Sequence, residues 1–151
     1  EINPNRKSPA MLVIPGGGYS FCSFREKEPV CMKYLAYGFK TFWLDYSISP
    51  VRYPYSLTEA IMAMNYIREN AEKFMIDKEM VSAIGFSAGG HLCALLGSKY
   101  DSEDVKMIFN GKENARPNSI ILGYPVITSG EKAHVGSFDN LCGQDKKLRE
   151  K

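Results

Sequence analysis

The sequence predicts an α/β fold: a parallel sheet of about four strands with helices on both faces. Three observations predict it. Four short apolar runs recur along the 151 residues. Each is near-continuous rather than alternating, the pattern of strands covered on both faces. Helix-period segments lie between them, as the right-handed crossovers of a parallel sheet require.

The first strand is expected at residues 10–14 (AMLVI). A helix follows at 29–37 (PVCMKYLAY), opened by Pro29 in the first turn and closed by Gly38. The second strand is 40–46 (KTFWLDY). The clearest helix is 57–74, where Ile61, Met64, Ile67, Ala71 and Phe74 form one apolar stripe. The third strand, 80–86 (MVSAIGF), runs into a helix at 88–99. Residues 100–117 are polar and contain Asn and Gly, which predicts a surface loop with one helical turn. The fourth strand is 119–124 (SIILGY). No repeat, low-complexity tract or linker interrupts the chain, so 1–151 is expected to be a single domain. It opens almost directly on a strand and closes on a charged, helix-prone segment (GQDKKLREK), as the central part of a longer domain would.

Charged residues make up 24% and hydrophobic residues 44%, the balance of a water-soluble globular domain. A net charge of +2 offers no attraction for nucleic acid or an anionic membrane. Apolar runs of about six residues fall far short of the ~20 needed to span a bilayer. Neither class of partner is expected. Four cysteines without C-x-x-C or zinc-ligand spacing predict free thiols and no metal. No organic cofactor is implied. The chain is expected in the cytoplasm, with a secretory signal ahead of residue 1 as the alternative.

Chemistry enters at Gly85-Phe86-Ser87-Ala88-Gly89. G-x-S-x-G between a strand and a helix is the pattern of a nucleophile elbow, a tight turn that projects the serine oxygen from the edge of the sheet. Small flanking residues keep side chains out of the doubled-back chain. The helix that follows directs its N-terminal N–H groups at developing negative charge. The bland alternative is a serine that merely caps the helix. A second feature, Pro15-Gly16-Gly17-Gly18-Tyr19, follows the first strand. Backbone N–H groups there, with that of Ala88, would form an oxyanion hole. A nucleotide site is the rival, but neither G-x-G-x-x-G nor G-K-[ST] is present.

A serine nucleophile needs a base. His91, one helical turn beyond Ser87, is poorly placed to reach its oxygen and is expected to be structural. His134 follows the fourth strand and is a candidate to line the site. As a base, with Asp139 as its orienter, it would give an unusual order. Tyr19 and Tyr46 follow their strands, and either wall an acyl or sugar pocket or pack in the core. Glu26 and Glu28 precede the helix near Pro29 and read as capping and dipole-complementing acids, with a substrate contact as the alternative.

The combination resembles the α/β-hydrolase esterases: the hormone-sensitive-lipase-like group and, more closely, bacterial acetyl esterases and acetylxylan-esterase-like lipases. Four segments carry the resemblance: PGGGYSFCSFREKEPV, LDYSISPVRYPYSLTEAIMAMNYIREN, IDKEMVSAIGFSAGGHL and ILGYPVITSGEKAHVGSF. It implies that Ser87 is the nucleophile and that Gly17, Gly18 and Ala88 donate to the oxyanion, Gly16 being the other candidate. It also implies a partial α/β-hydrolase fold, strands three to six of eight, with the triad Asp and His on strand–helix units outside these residues. The expected activity of the intact parent is removal of small acyl groups, acetyl above all, from carbohydrate or other alcohol esters. An incompetent fragment or binding module, or a peptidase, formamidase or acyltransferase reaction, are the alternatives. An exposed edge of the sheet would favour self-association.

Overall fold

A computed structural model describes residues 6–109 and 114–149. Its four strands are β1 (Ser8–Ile14), β2 (Lys40–Trp43), β3 (Ile76–Phe86) and β4 (Ile120–Gly123). They lie in the order β2-β1-β3-β4, and all three pairings are parallel. The intervening helices are α1 (Glu28–Ala36), α2 (Tyr55–Glu69), α3 (Ala71–Phe74), α4 (Ala88–Lys99) and α5 (Glu103–Lys106); α6 (Val135–Cys142) and α7 (Lys146–Arg149) follow β4.

Both faces of the sheet are covered, as the continuous apolar runs require. On β1 the side chains alternate between two cores. Ala10, Leu12 and Ile14 pack with Leu57, Ile61 and Met64 of α2 and with Leu92, Cys93 and Leu96 of α4. Met11 and Val13 pack with Ile84 and with Cys31 of α1. β1 is therefore buried on both faces, while β2 and β4 are the edges. Ile120, Ile121 and Leu122 of β4 remain exposed.

Several boundaries differ from expectation for identifiable reasons. β3 begins at Ile76, not Met80, because residues 77–80 bulge out: Ser8 pairs with Ile76, whereas Ala10 pairs with Val81. That polar, bulged stretch carries no buried-strand signal. The predicted 57–74 helix is two helices, broken at Asn70 and ended by left-handed Met75. β2 stops at Trp43 rather than Tyr46. The expected helical turn after residue 100 is α5, and the helix-prone end forms α7. α6 falls where a loop was expected. It buries Ser137, Phe138, Leu141 and Cys142 against the main core or the glycine run. No helix among the described residues is long and apolar enough to cross a membrane.

β1, β3 and β4 all end at one edge of the sheet, and the chain after each carries one wall of the candidate site.

Candidate active site

Ser87 joins the last residue of β3 to the first of α4 with φ 51° and ψ −119°, a left-handed conformation rare for a residue with a side chain. Its backbone is held from three directions. The Ser87 N–H donates to Gly123 O at 3.0 Å, and the Ser87 carbonyl accepts from His91 N at 3.0 Å and from Val126 N at 3.1 Å. The neighbouring glycines are steric necessities. A Cβ at Gly85 would stand 2.2 Å from Gly89 O, and one at Gly89 would stand 2.2 Å from Pro15 O.

The glycine run after β1 is oriented by its carbonyls. Gly16 O accepts from Ser23 N at 2.9 Å, and Gly17 O accepts from Ser20 N at 3.0 Å and Ser20 Oγ at 2.9 Å. In a trans peptide the C=O and N–H point opposite ways. The N–H groups of Gly17 and Gly18 therefore point away from the body of the loop. Gly16 N–H, by contrast, donates to Glu26 Oε2 at 2.7 Å. Of the three glycines, only Gly17 and Gly18 keep N–H groups with no protein acceptor among the described residues. Gly18 O is fixed in turn by Asn140 Nδ2 at 2.8 Å. Gly17, at φ +133°, has no room for a side chain: a Cβ there would lie 1.9 Å from Phe21 O.

Ser87, Gly17, Gly18 and His134 line one open cleft of about 410 Å³, together with Phe21, Glu26, Tyr124 and Asn140. Ala88 does not line it and is fully buried at the N-terminus of α4. The sequence thus named both walls of the cleft, the elbow and the glycine run. His134 reaches it from the N-terminus of α6, where its Nδ1 lies 2.8 Å from Ser137 Oγ. Among the described residues no hydrogen bond joins a histidine ring to the Ser87 side chain. Asp139, the candidate orienter of His134, pairs with Arg149 instead.

His91 turns into the interior. Its Nδ1 lies 2.8 Å from Tyr19 Oη, its ring packs on Phe138, and burial pulls its pKa down to about 4. Tyr19 and Tyr46 do not wall the cleft. They are 2% and 3% exposed and pack edge-to-face, and Tyr46 Oη donates to Pro15 O at 2.8 Å. Burial raises the Tyr19 hydroxyl well above its ordinary pKa, so it stays protonated.

Three cleft residues carried no usable sequence signal. The sequence predicts Glu26 as a capping acid or a substrate contact, but only Glu28 lies in the first turn of α1. Glu26 occupies the preceding 3-10 turn, with one carboxylate oxygen on Gly16 N–H and the other accepting from Tyr124 Oη at 2.7 Å. That bond raises the Tyr124 pKa. Asn140 reaches Gly18 from a helix that was not expected. No group of three or more His, Cys, Asp or Glu among the described residues is placed to hold a metal.

The BD-FAE family model matches residues 2–130. The chain belongs to the BD-FAE family. It is an α/β-hydrolase chain homologous to carboxylesterases and acetyl esterases. This BD-FAE chain is 39% identical over 149 residues to endo-1,4-beta-xylanase B of Butyrivibrio fibrisolvens, covering 93% of this chain and 23% of that protein. It is 28% identical to an acetylxylan esterase of Xylanibacter ruminicola, covering 95% of this chain and 28% of that protein. In structure it is similar to an acetyl ester-xyloside bifunctional hydrolase from Caldicellulosiruptor lactoaceticus, with TM-score 0.83 and 35% identity over 95% of this chain and 53% of that one. It is also similar to MGS-M1, an α/β-hydrolase from a deep-sea metagenome, with TM-score 0.72 and 39% identity over 88% and 52% of the two chains. The chain thus spans 53% and 52% of these solved structures, and 23% and 28% of the two other relatives.

Proposed function

We propose that the whole protein is a serine esterase that removes small acyl groups, chiefly acetyl, from carbohydrate esters. The observation that carries this reading is Ser87, in left-handed backbone at the end of β3, sharing a cleft with the outward N–H groups of Gly17 and Gly18. In the proposed reaction Ser87 Oγ attacks the ester carbonyl carbon and its proton passes to a base. The carbonyl oxygen becomes an oxyanion bound by the N–H groups of Gly17, Gly18 and Ala88. Collapse expels the alcohol, which takes up that proton. Water then cleaves the acyl-enzyme by the same route, releasing the acid and free Ser87.

The base and its acid partner are proposed to come from residues outside these 151. Two facts support this: His91 bonds Tyr19, and His134 bonds Ser137 while Asp139 pairs with Arg149. Acetyl on a xylan-type sugar is supported by the names of relatives, an acetylxylan esterase and an acetyl ester-xyloside hydrolase.

The whole protein, its S87A variant and the 151-residue chain should be assayed on p-nitrophenyl acetate and acetylated xylo-oligosaccharides. Activity in the whole protein that is lost with S87A supports the reading, and turnover that survives S87A overturns it. Full activity in the 151-residue chain, abolished by H134A, would assign the base to His134 instead.

A further inference from the structure

We infer that Glu26 is a positioning residue for the oxyanion site, a staple across the strand that carries Ser87. The inference rests on the esterase reading above. In the sheet order, β3 lies between β1 and β4. Glu26 Oε2 accepts from Gly16 N–H, two residues past the end of β1, at 2.7 Å. Its Oε1 accepts from Tyr124 Oη, one residue past the end of β4, at 2.7 Å. One carboxylate therefore joins the chain on both sides of the β3 terminus.

Gly16 itself is pressed between this carboxylate and the nucleophile. A Cβ added there would meet Glu26 Oε2 at 2.8 Å, Phe86 O at 2.8 Å and Ser87 Cβ at 2.9 Å. The next two residues line the cleft and have N–H groups with no protein acceptor among the described residues. Fixing the Gly16 N–H sets one end of that run, as Asn140 on Gly18 O sets the other. Tyr124 is anchored at the same time. It stands next to Gly123, whose carbonyl holds the Ser87 N–H, and its ring packs on Phe86. A site built to bind an oxyanion works by holding its donors in place before charge develops. Glu26 does this through the backbone rather than by touching substrate.

The test is a kcat against KM comparison on p-nitrophenyl acetate, in the whole protein, for E26A, E26Q, Y124F and S87A. E26A frees the Gly16 N–H and should lower kcat by about 10²-fold, the order of losing one oxyanion donor, with KM little changed. E26Q retains both contacts: its Oε1 accepts from Gly16 N–H and its Nε2 donates to Tyr124 Oη. It should restore most of the lost rate. A kcat unchanged in E26A overturns the inference, and so does a raised KM with intact kcat, which would mark a substrate contact. Glutamine as damaging as alanine also overturns it. Should E26A not fold, near-native kcat in E26Q with reduced kcat and unchanged KM in Y124F supports the inference, and native kcat in Y124F overturns it. Turnover surviving S87A refutes the esterase reading itself, whatever the Glu26 variants do.

Discussion

Tyr19 Oη and His91 Nδ1 lie 2.8 Å apart, tying the residue after the glycine run to the first turn of α4. Both rings are sequestered from the cleft, so the contact serves the walls of the site. Because burial holds the His91 pKa near 4, the imidazole is neutral at pH 7.

A pH dependence of stability follows from that burial. The folded pKa of His91 is depressed from 6.5 to about 4, so below pH 6.5 the unfolded chain takes up a proton that the folded chain refuses. This contribution is complete above pH 6.5, declines as pH falls, and levels off below pH 4, amounting to roughly 3 kcal/mol in all. Urea unfolding at pH 7.5 and pH 4.5 should show a smaller pH effect in H91Q than in the native chain. An equal effect in both would refute the assignment.

Gly89 marks the closest approach of α4 to the loop after β1. G89A places a methyl group 2.2 Å from the Pro15 carbonyl oxygen, and that oxygen belongs to the backbone. The chain must shift, at a cost of about 1–3 kcal/mol or more. Thermal unfolding should register a clear drop in Tm. G130A, in an exposed loop whose nearest atom is Thr128 Oγ1 at 3.4 Å, should leave Tm nearly unchanged.

Asn140 offers a separate handle on the glycine run. N140A removes the donor to Gly18 O, a bond worth about 0.5–1.5 kcal/mol. If that energy is expressed in donor placement, a fluorophosphonate probe should label Ser87 up to about tenfold more slowly in the whole protein. Unaltered labelling would mean that Gly18 is held without Asn140.

The parts of the fold evident in the sequence are those where one physical demand selects residue type. Burial on both faces makes β1 continuously apolar, and the elbow excludes side chains from Gly85 and Gly89, so both stand out locally. α6 does not, because Gly136 and Asn140 weaken its helical signal, and tertiary burial of Phe138 and Leu141 sustains it instead. The break at Asn70 is likewise invisible beneath an apolar stripe that continues through Phe74. In the cleft, Ser87 and the glycines were evident for the same local reason. Glu26 and Asn140 were not, because their partners lie far off in sequence: Tyr124 is 98 residues from Glu26, and Gly18 is 122 residues from Asn140. No spacing rule connects such pairs.

If Ser87 is the nucleophile proposed above, its left-handed backbone sets activity against durability. A serine held at φ 51° carries of the order of 1–3 kcal/mol of conformational cost. S87G relieves that cost, partly offset by the about 0.5–1 kcal/mol that glycine's extra freedom adds to the unfolded chain. The disabled variant should therefore melt higher than the native protein. On the esterase reading, selection of this protein for heat resistance alone would drift toward sturdy, inert sequences, so every round of such selection needs a simultaneous demand for ester turnover.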